Sequence, residues 1–456
     1  MRKLLSLLVC CLCLISKSDA GDAKPNIIFI LADDLGYGDV GCFGQKQIKT
    51  PNIDRMAAEG MKLTHFYAGS TVCAPSRCVL MTGLHTGHCY VRGNAKSNLR
   101  PEDITVAEVL KKAGYVNGLS GKWGLGHEGS SGVPTRKGFD SFFGYLDQTH
   151  AHNYYPTFLV RNETRVPLKN IVPKEGNVGQ GSASKKVDYV PDLVIADALE
   201  FIDGNKDKPF FLYFATTLPH ANNEAGAMEI PDLGDYTDKD WPQTQKAHAA
   251  MVTRMDSDVG KILERLKQHG IDDKTIVIFT SDNGPHKEGG NNPAFNQSSG
   301  PFRGTKRDFT DGGIRVPTVV RWPGKIKAGS SSEHLGYFGD FMATAAELAG
   351  VECPRNMDSI SFLPTLLGDT EKQKQHEFLY WEFYEGGSWQ AVRMGDWKLA
   401  RKPMLKGKLE LYNLKNDIRE ESNVADAHPE IVAKALKFME QAHVPSPDWG
   451  TKAQKN

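Results

Sequence analysis

The sequence predicts an α/β fold: a large, mostly parallel (mixed) central sheet with helices on both faces, plus a smaller C-terminal α+β domain with an antiparallel sheet. Three observations carry this. Asn26–Ala32, residues 209–216 and Thr275–Ser281 are unbroken apolar runs rich in β-branched and aromatic residues, the pattern of parallel strands covered on both faces. Stretches with helical spacing separate them, so strands and helices alternate as in βαβ units. From about residue 375 the texture changes to short strands parted by glycine turns, which reads as hairpins.

Residues 1–20 read as a secretory signal. Arg2 and Lys3 form a basic start, residues 4–15 an apolar core, and Ser18-Asp19-Ala20 a small-residue cleavage site. The apolar run is too short to cross a bilayer. The expectation is an exported chain, periplasmic or secreted, with no membrane span, divided into residues 21–374 and 375–456.

The strand Asn26–Ala32 runs into Asp33-Asp34. Adjacent carboxylates at the tip of a buried strand repel unless a cation holds them, so a metal site is expected there. Residues 50–60 read as a helix capped at Thr50 and ended by Gly60. Residues 73–83, Cys-Ala-Pro-Ser-Arg-Cys-Val-Leu-Met-Thr-Gly, read as a buried helix with Pro75 at its first position and Gly83 at its end. Cys73 would then sit just before a helix N-terminus, where free N–H groups favour an anion. Arg77 lies one turn on, on the same face. His85, His88, Tyr90 and Arg92 follow the helix and are candidates for a pocket mouth.

Further along, residues 105–112 read as a helix and 114–120 as a strand delivering Lys122. Residues 130–187, rich in Gly, Pro and polar residues, read as an insertion rather than framework. Residues 191–203 are helical, and strand 209–216 ends at Pro219-His220. Residues 245–270 form a long amphipathic helix, and Thr275–Ser281 ends at Asp282-Asn283-Gly284. A glycine-rich loop then carries Arg303, Lys306 and Arg307 before a strand at 316–322 and a helix at 338–350. The C-terminal part offers strands at 378–383, 389–394, 397–400 and 409–412, then a helix at 429–443.

Composition narrows the partners. With 55 basic against 55 acidic residues, nothing favours nucleic acid or an anionic membrane, although a local cationic pocket remains compatible with a neutral total. Of eight cysteines, Cys42, Cys73, Cys78, Cys89 and Cys353 lie beyond the signal. None has zinc-ligand spacing, and their pairing is open. Asn162 and Asn296 match glycosylation acceptors.

Four strands thus end in polar groups: Asp33/Asp34, Lys122, His220 and Asp282/Asn283. In open α/β sheets the crevice beyond the carboxyl ends of the strands is where ligands bind. Cys73-x-Pro75-Ser76-Arg77 followed by Leu80-Met81-Thr82-Gly83 closely resembles the signature of the formylglycine-dependent sulfatases, within the alkaline phosphatase superfamily. The resemblance spans most of residues 25–370 and continues more weakly beyond.

The resemblance implies that Cys73 is oxidised to formylglycine by a formylglycine-generating enzyme, and that the hydrate of the aldehyde is the nucleophile. It implies one divalent cation held by Asp33, Asp34, Asp282 and Asn283 with the modified Cys73. Calcium suits that all-oxygen set better than magnesium. Arg77, Lys122, His220 and Lys306 match the family's sulfate-binding and leaving-group residues, so the implied activity is hydrolysis of a sulfated carbohydrate or aryl sulfate. Substrate-binding candidates are His85, His150, His152 and Arg303. The clustering of His150 and His152 with Tyr154 and Tyr155 suits stacking on a sugar, with a packed surface loop as the equal alternative. The competing readings are a phosphate or phosphonate ester hydrolase on the same scaffold, and a catalytically silent glycan-binding protein.

One departure stands out. The family usually reads Gly-Lys-Trp-His-Leu-Gly after the strand bearing the lysine, whereas this chain reads Gly121-Lys122-Trp123-Gly124-Leu125-Gly126. Glycine cannot supply the missing imidazole. The expectation is that a histidine other than His220 (His127, His65, His85 or His88) reaches the Cys73 side chain.

Overall fold

The computed structural model describes residues 24–95 and 98–450, so the predicted signal lies outside the described residues. Among these residues one ten-stranded sheet runs in the order Ser330–Ser332, Met61–Leu63, Thr318–Arg321, Thr275–Ser281, Asn26–Ala32, Phe210–Ala215, Val116–Lys122, Ser141–Tyr145, Phe158–Arg161, Thr164–Pro167. The five strands from Thr275–Ser281 to Ser141–Tyr145 are parallel to one another. Mostly antiparallel pairings extend the sheet on either side. The mixed sheet is the one the sequence predicts.

Alternate residues of the central strand feed two cores, because successive side chains leave a strand on opposite faces. Ile27, Phe29 and Leu31 pack on the side of helices Cys73–Thr82, Val106–Lys112 and Asp340–Leu348. Ile28, Ile30 and Ala32 pack on the side of Pro51–Ala58, Val190–Asn205 and Gln243–Gln268. Coverage on both faces is why the run is unbroken. No helix among the described residues is long and apolar enough to cross a membrane.

Residues 130–187 are a correction. They are framework as well as loop, since three strands of the sheet come from them. Ser141–Tyr145 is short and contains Gly144, so its pattern hides a buried strand. The glycine is needed: a Cβ on Gly144 would lie 2.0 Å from the Gly121 carbonyl oxygen of the neighbouring strand. The helix Pro51–Ala58 differs in its cap. Thr50 makes no capping bond to it; Asp256 of helix Gln243–Gln268 accepts from the Asn52 and Ile53 N–H groups at 3.0 and 2.8 Å. A distant carboxylate does what a local hydroxyl was expected to do.

The C-terminal sheet, in order Leu379–Phe383, Trp389–Met394, Trp397–Lys402, Lys408–Asn413, is antiparallel. One face is covered by helix Pro429–Ala442 through Phe438 and Met439. The other contributes Trp381, Phe383, Trp389 and Ala391 to the large core itself. Trp381 Nε1 donates to the Ala68 carbonyl at 2.9 Å. The C-terminal sheet therefore joins the large core through one face and keeps a smaller core of its own beneath the helix.

The segment joining the two sheets carries a charge pair with a pH signature. His376 Nε2 lies 2.7 Å from Asp340 Oδ1 at the head of helix Asp340–Leu348. Burial works against its charge, but Asp340 overcomes burial and holds His376 above its ordinary value. A raised folded pKa contributes stability that is complete below the unfolded value of about 6.5 and is lost as pH rises through the folded one. Urea unfolding of wild type and His376→Gln should therefore differ at pH 6, and by about 1 kcal/mol less at pH 9. A gap that widens with pH would contradict this.

Candidate active site

Helix Cys73–Thr82 is buried over all ten residues and ends at Gly83, whose φ of 69° is left-handed, as predicted. Its start differs: Cys73 itself is the first helical residue, and Pro75 is the third. Proline is harmless there because the first four N–H groups of a helix have no partner within it. The Ala74 N–H is instead taken by Asn94 Oδ1 at 3.0 Å.

Strand tips bring the rest together. Asp34, at φ 66°, follows strand Asn26–Ala32 and donates its N–H to Asp282 Oδ1 at 3.1 Å. Asn283 Nδ2 donates to Asp34 Oδ1 at 2.7 Å. Cys73 Sγ lies 3.4 Å from Asp33 Oδ1. Lys122 Nζ, from the last residue of its strand, is 2.7 Å from Asp33 Oδ2. Arg77 grips Asp282 Oδ2 through Nε and Nη2 at 3.1 and 2.9 Å, and its Nη1 donates to the Lys122 carbonyl. Lys306 Nζ lies 2.8 Å from Asp34 Oδ2 and 3.3 Å from His220 Nε2.

His220 has a defined tautomer. Its Nδ1 is 2.6 Å from the Ala221 carbonyl oxygen, which can only accept, so Nδ1 carries the hydrogen and Nε2 accepts from Lys306. His152 stacks on it, with ring centroids 4.9 Å apart and planes 10° from parallel. Burial, then the charge of Lys306, press His220 well below its usual value.

Three carboxylates at full burial explain the electrostatics. Burial and the charge of Asp33 push Asp282 up to about 7. Burial would raise Asp33 too, but Lys122, His220 and Arg77 together hold it well below the carboxylate range. Asn283 Oδ1 is buried without a hydrogen-bond partner. An all-oxygen set with mutual repulsion and an unsatisfied amide oxygen fits a hard divalent cation.

The structure also separates residues the sequence grouped. Arg303 Nε donates to the Arg419 carbonyl at 3.0 Å, and its Nη2 to that of Glu420; it braces the C-terminal part. His150 is buried between Tyr145 and Phe158, and burial pushes it down to about 3, so it is a neutral core ring. His85 and His88 stack on each other and face Asp358. The Gly87 N–H donates to His85 Nδ1 at 3.1 Å, which puts the His85 hydrogen on the nitrogen facing Asp358. That trio is a hydrogen-bonded clamp with no lone pair of His85 left for a metal. Of the four substrate candidates, His152 is the one beside His220.

The expected second histidine is not found. Among the described residues the hydrogen-bond partner of Cys73 Sγ is Asp33, and His127 is exposed on its loop. A Cβ on Gly124 would lie 2.5 Å from Gln148 Oε1, so a glutamine occupies that space. Sequence reasoning missed Gln148, and also Glu288, which pairs with Lys306 at 3.0 Å and Arg307 at 2.8 Å. Gln148 lies in a turn and Glu288 opens a three-residue 3-10 helix, and neither periodicity nor motif marks them. Among the described residues the cysteines are free thiols, and Asn296 is too buried to carry a glycan.

A cluster at the tips of a doubly covered sheet, with cationic side chains facing three carboxylates, is the site of a hydrolase of anionic esters. The comparisons specify the family. The Sulfatase family model matches residues 25–351, and the model for the N-sulphoglucosamine sulphohydrolase C-terminal region matches residues 304–443. The N-acetylgalactosamine-6-sulfatase of Rattus norvegicus is 34% identical over 400 residues, covering 82% of this chain and 71% of that one. The N-acetylgalactosamine-6-O-sulfatase of Bacteroides thetaiotaomicron is 30% identical, covering 91% and 93%. The crystal structure of Ps i-CgsB superposes with a TM-score of 0.78 at 29% identity, covering 95% and 96%. The chain belongs to the sulfatase family.

Proposed function

We propose that this protein hydrolyses sulfate monoesters of carbohydrates through formylglycine at position 73. The observation that carries the reading is the convergence of Asp33, Asp34, Asp282, Asn283, Arg77, Lys122, His220 and Lys306 on Cys73. Relatives named for N-acetylgalactosamine 6-sulfate make that sugar the first to test.

Cys73, converted by a formylglycine-generating enzyme, supplies through its hydrate the hydroxyl that attacks sulfur. A divalent cation held by Asp33, Asp34, Asp282 and Asn283, with calcium favoured, supplies counter-charge for the attack. With the carboxylates so engaged, Arg77, Lys122 and Lys306 are in positive surplus, the charge that an esterified sulfate answers. His220 and Lys306 stand as one proton-donating unit. Lys306 Nζ faces His220 Nε2 at 3.3 Å, and since that Nε2 bears no hydrogen of its own, the proton comes from the ammonium and passes through Nε2 to the departing alcohol, leaving Lys306 neutral. His152, stacked on His220, holds that ring and borders the sugar. Residues 375–456 act as a subdomain bracing the pocket. The basic and apolar start at residues 1–20 supports export to the periplasm or medium.

The test is kinetic. Full-length protein made with a formylglycine-generating enzyme should hydrolyse N-acetylgalactosamine 6-sulfate or another member of a panel of sulfated sugars. It should prefer an aryl sulfate to the matched aryl phosphate. Chelation should cut turnover by roughly two orders of magnitude or more, the scale of losing several kcal/mol of charge stabilisation, and calcium should restore it better than magnesium. Preference for the phosphate, or full activity after verified metal removal, would overturn the reading.

A further inference from the structure

Beside Arg77, the site is flanked by two strand tips that run side by side past the end of the sheet. Lys122 pairs with Tyr145, and beyond them Trp123 N–H donates to the Tyr145 carbonyl and Gly124 N–H to that of Leu146, at 2.9 and 3.1 Å. The first tip brings Lys122 and then Gly124. The second brings Gln148, whose turn is fixed by Asp147 Oδ1 accepting from the Thr149 and His150 N–H groups at 2.7 and 3.2 Å.

At Gly124 the backbone has φ +73°, and a Cβ would stand 2.5 Å from Gln148 Oε1 and 3.8 Å from Arg77 Cδ. One point beside the site thus touches both Arg77 and the Gln148 carboxamide. Gln148 is 5% exposed, and its Oε1 has no hydrogen-bond partner. A buried amide oxygen without a partner is normally avoided. Where one persists next to an arginine in an anion pocket, a bound group that completes its hydrogen bonds is the economical explanation.

We propose that Gln148 is a substrate-contacting residue of the sulfate pocket, donating its amide N–H to a sulfate oxygen from the space that Gly124 leaves open. With Oε1 unpaired, the oxygen gives up no hydrogen bond in a half-turn of the amide that brings NH2 to the anion. The carboxamide adds a donor without adding charge, and it cannot exchange a proton. Glycine at 124 and glutamine at 148 are therefore one device: a side chain at 124 and the Gln148 amide compete for the same volume. The inference rests on the sulfatase reading of the same site.

The test uses the full-length, calcium-loaded protein and two readouts: the Kd of inorganic sulfate by calorimetry, and kcat/KM for the best substrate of the panel. Gln148→Ala should weaken sulfate about 10-fold, the scale of a lost hydrogen bond to a charged group. Gln148→Glu is isosteric but carries the wrong charge, and should weaken it more than Gln148→Ala does. Gly124→His alone should lose activity by collision with Gln148, and Gly124→His/Gln148→Ala should recover part of it. A purely packing role for Gln148 would give no such recovery. Wild type that binds sulfate in a Gln148-dependent way yet hydrolyses no ester would sink the enzymatic reading and leave this inference standing. Unchanged Kd and kcat/KM in both Gln148→Ala and Gln148→Glu, or a wild type that shows neither binding nor turnover, overturns it.

Discussion

Cys73→Ala is expected to abolish sulfate-ester turnover, by roughly four orders of magnitude or more, as removal of a catalytic nucleophile does in other hydrolases. The fold should survive. Cys73 is fully buried in a helix whose ten residues are all buried, and alanine keeps the backbone while leaving only a small void, at a cost on the order of 1 kcal/mol. The pocket around it should survive as well, because Arg77 is held by Asp282 and Lys122 by Asp33 without help from the thiol. Turnover and stability are thus predicted to separate. The same separation should appear in wild-type protein made without the formylglycine-generating enzyme, in which mass spectrometry of the residue 73 peptide would find cysteine. Turnover by Cys73→Ala within tenfold of wild type would refute a nucleophile at this position.

The second large effect lies at the junction of the two sheets. Lys398 of strand Trp397–Lys402 is fully buried, with Nζ 2.9 Å from both Asp311 Oδ1 and Glu420 Oε1. Asp311 is further bound by Tyr67 and Arg315, and its N–H donates to Glu420. Burial and the negative charge of Asp311 push Glu420 up, against the pull of Lys398. Removing one partner of a buried ion group strands the remaining charge, which costs about 3–5 kcal/mol. Lys398→Met should therefore lower stability by that amount in urea unfolding. Adding Asp311→Asn and Glu420→Gln should recover part of the loss, since charges removed together leave nothing uncompensated. A loss below about 1 kcal/mol for Lys398→Met would mean that water reaches the group and that the clamp does not hold the sheets together.

Much of the site was legible because its signals are local. Apolar runs mark the buried strands, and a polar residue directly after such a run marks a tip; that placed Asp33, Asp34, Lys122, His220, Asp282 and Asn283 in one crevice. The pentapeptide at Cys73 did the same for the buried helix Cys73–Thr82. Residues 130–187 were misjudged where the signal is weakest, in a five-residue strand interrupted by Gly144. That glycine reports a close approach to Gly121 which no pattern within the segment discloses.

By itself the sequence determined the sheet class, the strand tips, the helix headed by Cys73 and the family, because spacing along the chain sets which face a side chain takes. Only the tertiary structure decided that Asp256 caps a helix some 200 residues away in sequence, that Arg303 braces Glu420, that the C-terminal sheet joins the large core through one face, and that Gln148 fills the space at Gly124. Each depends on two segments meeting at a definite register. Such contacts form when the strands pair, and a one-dimensional pattern records each partner but not their meeting.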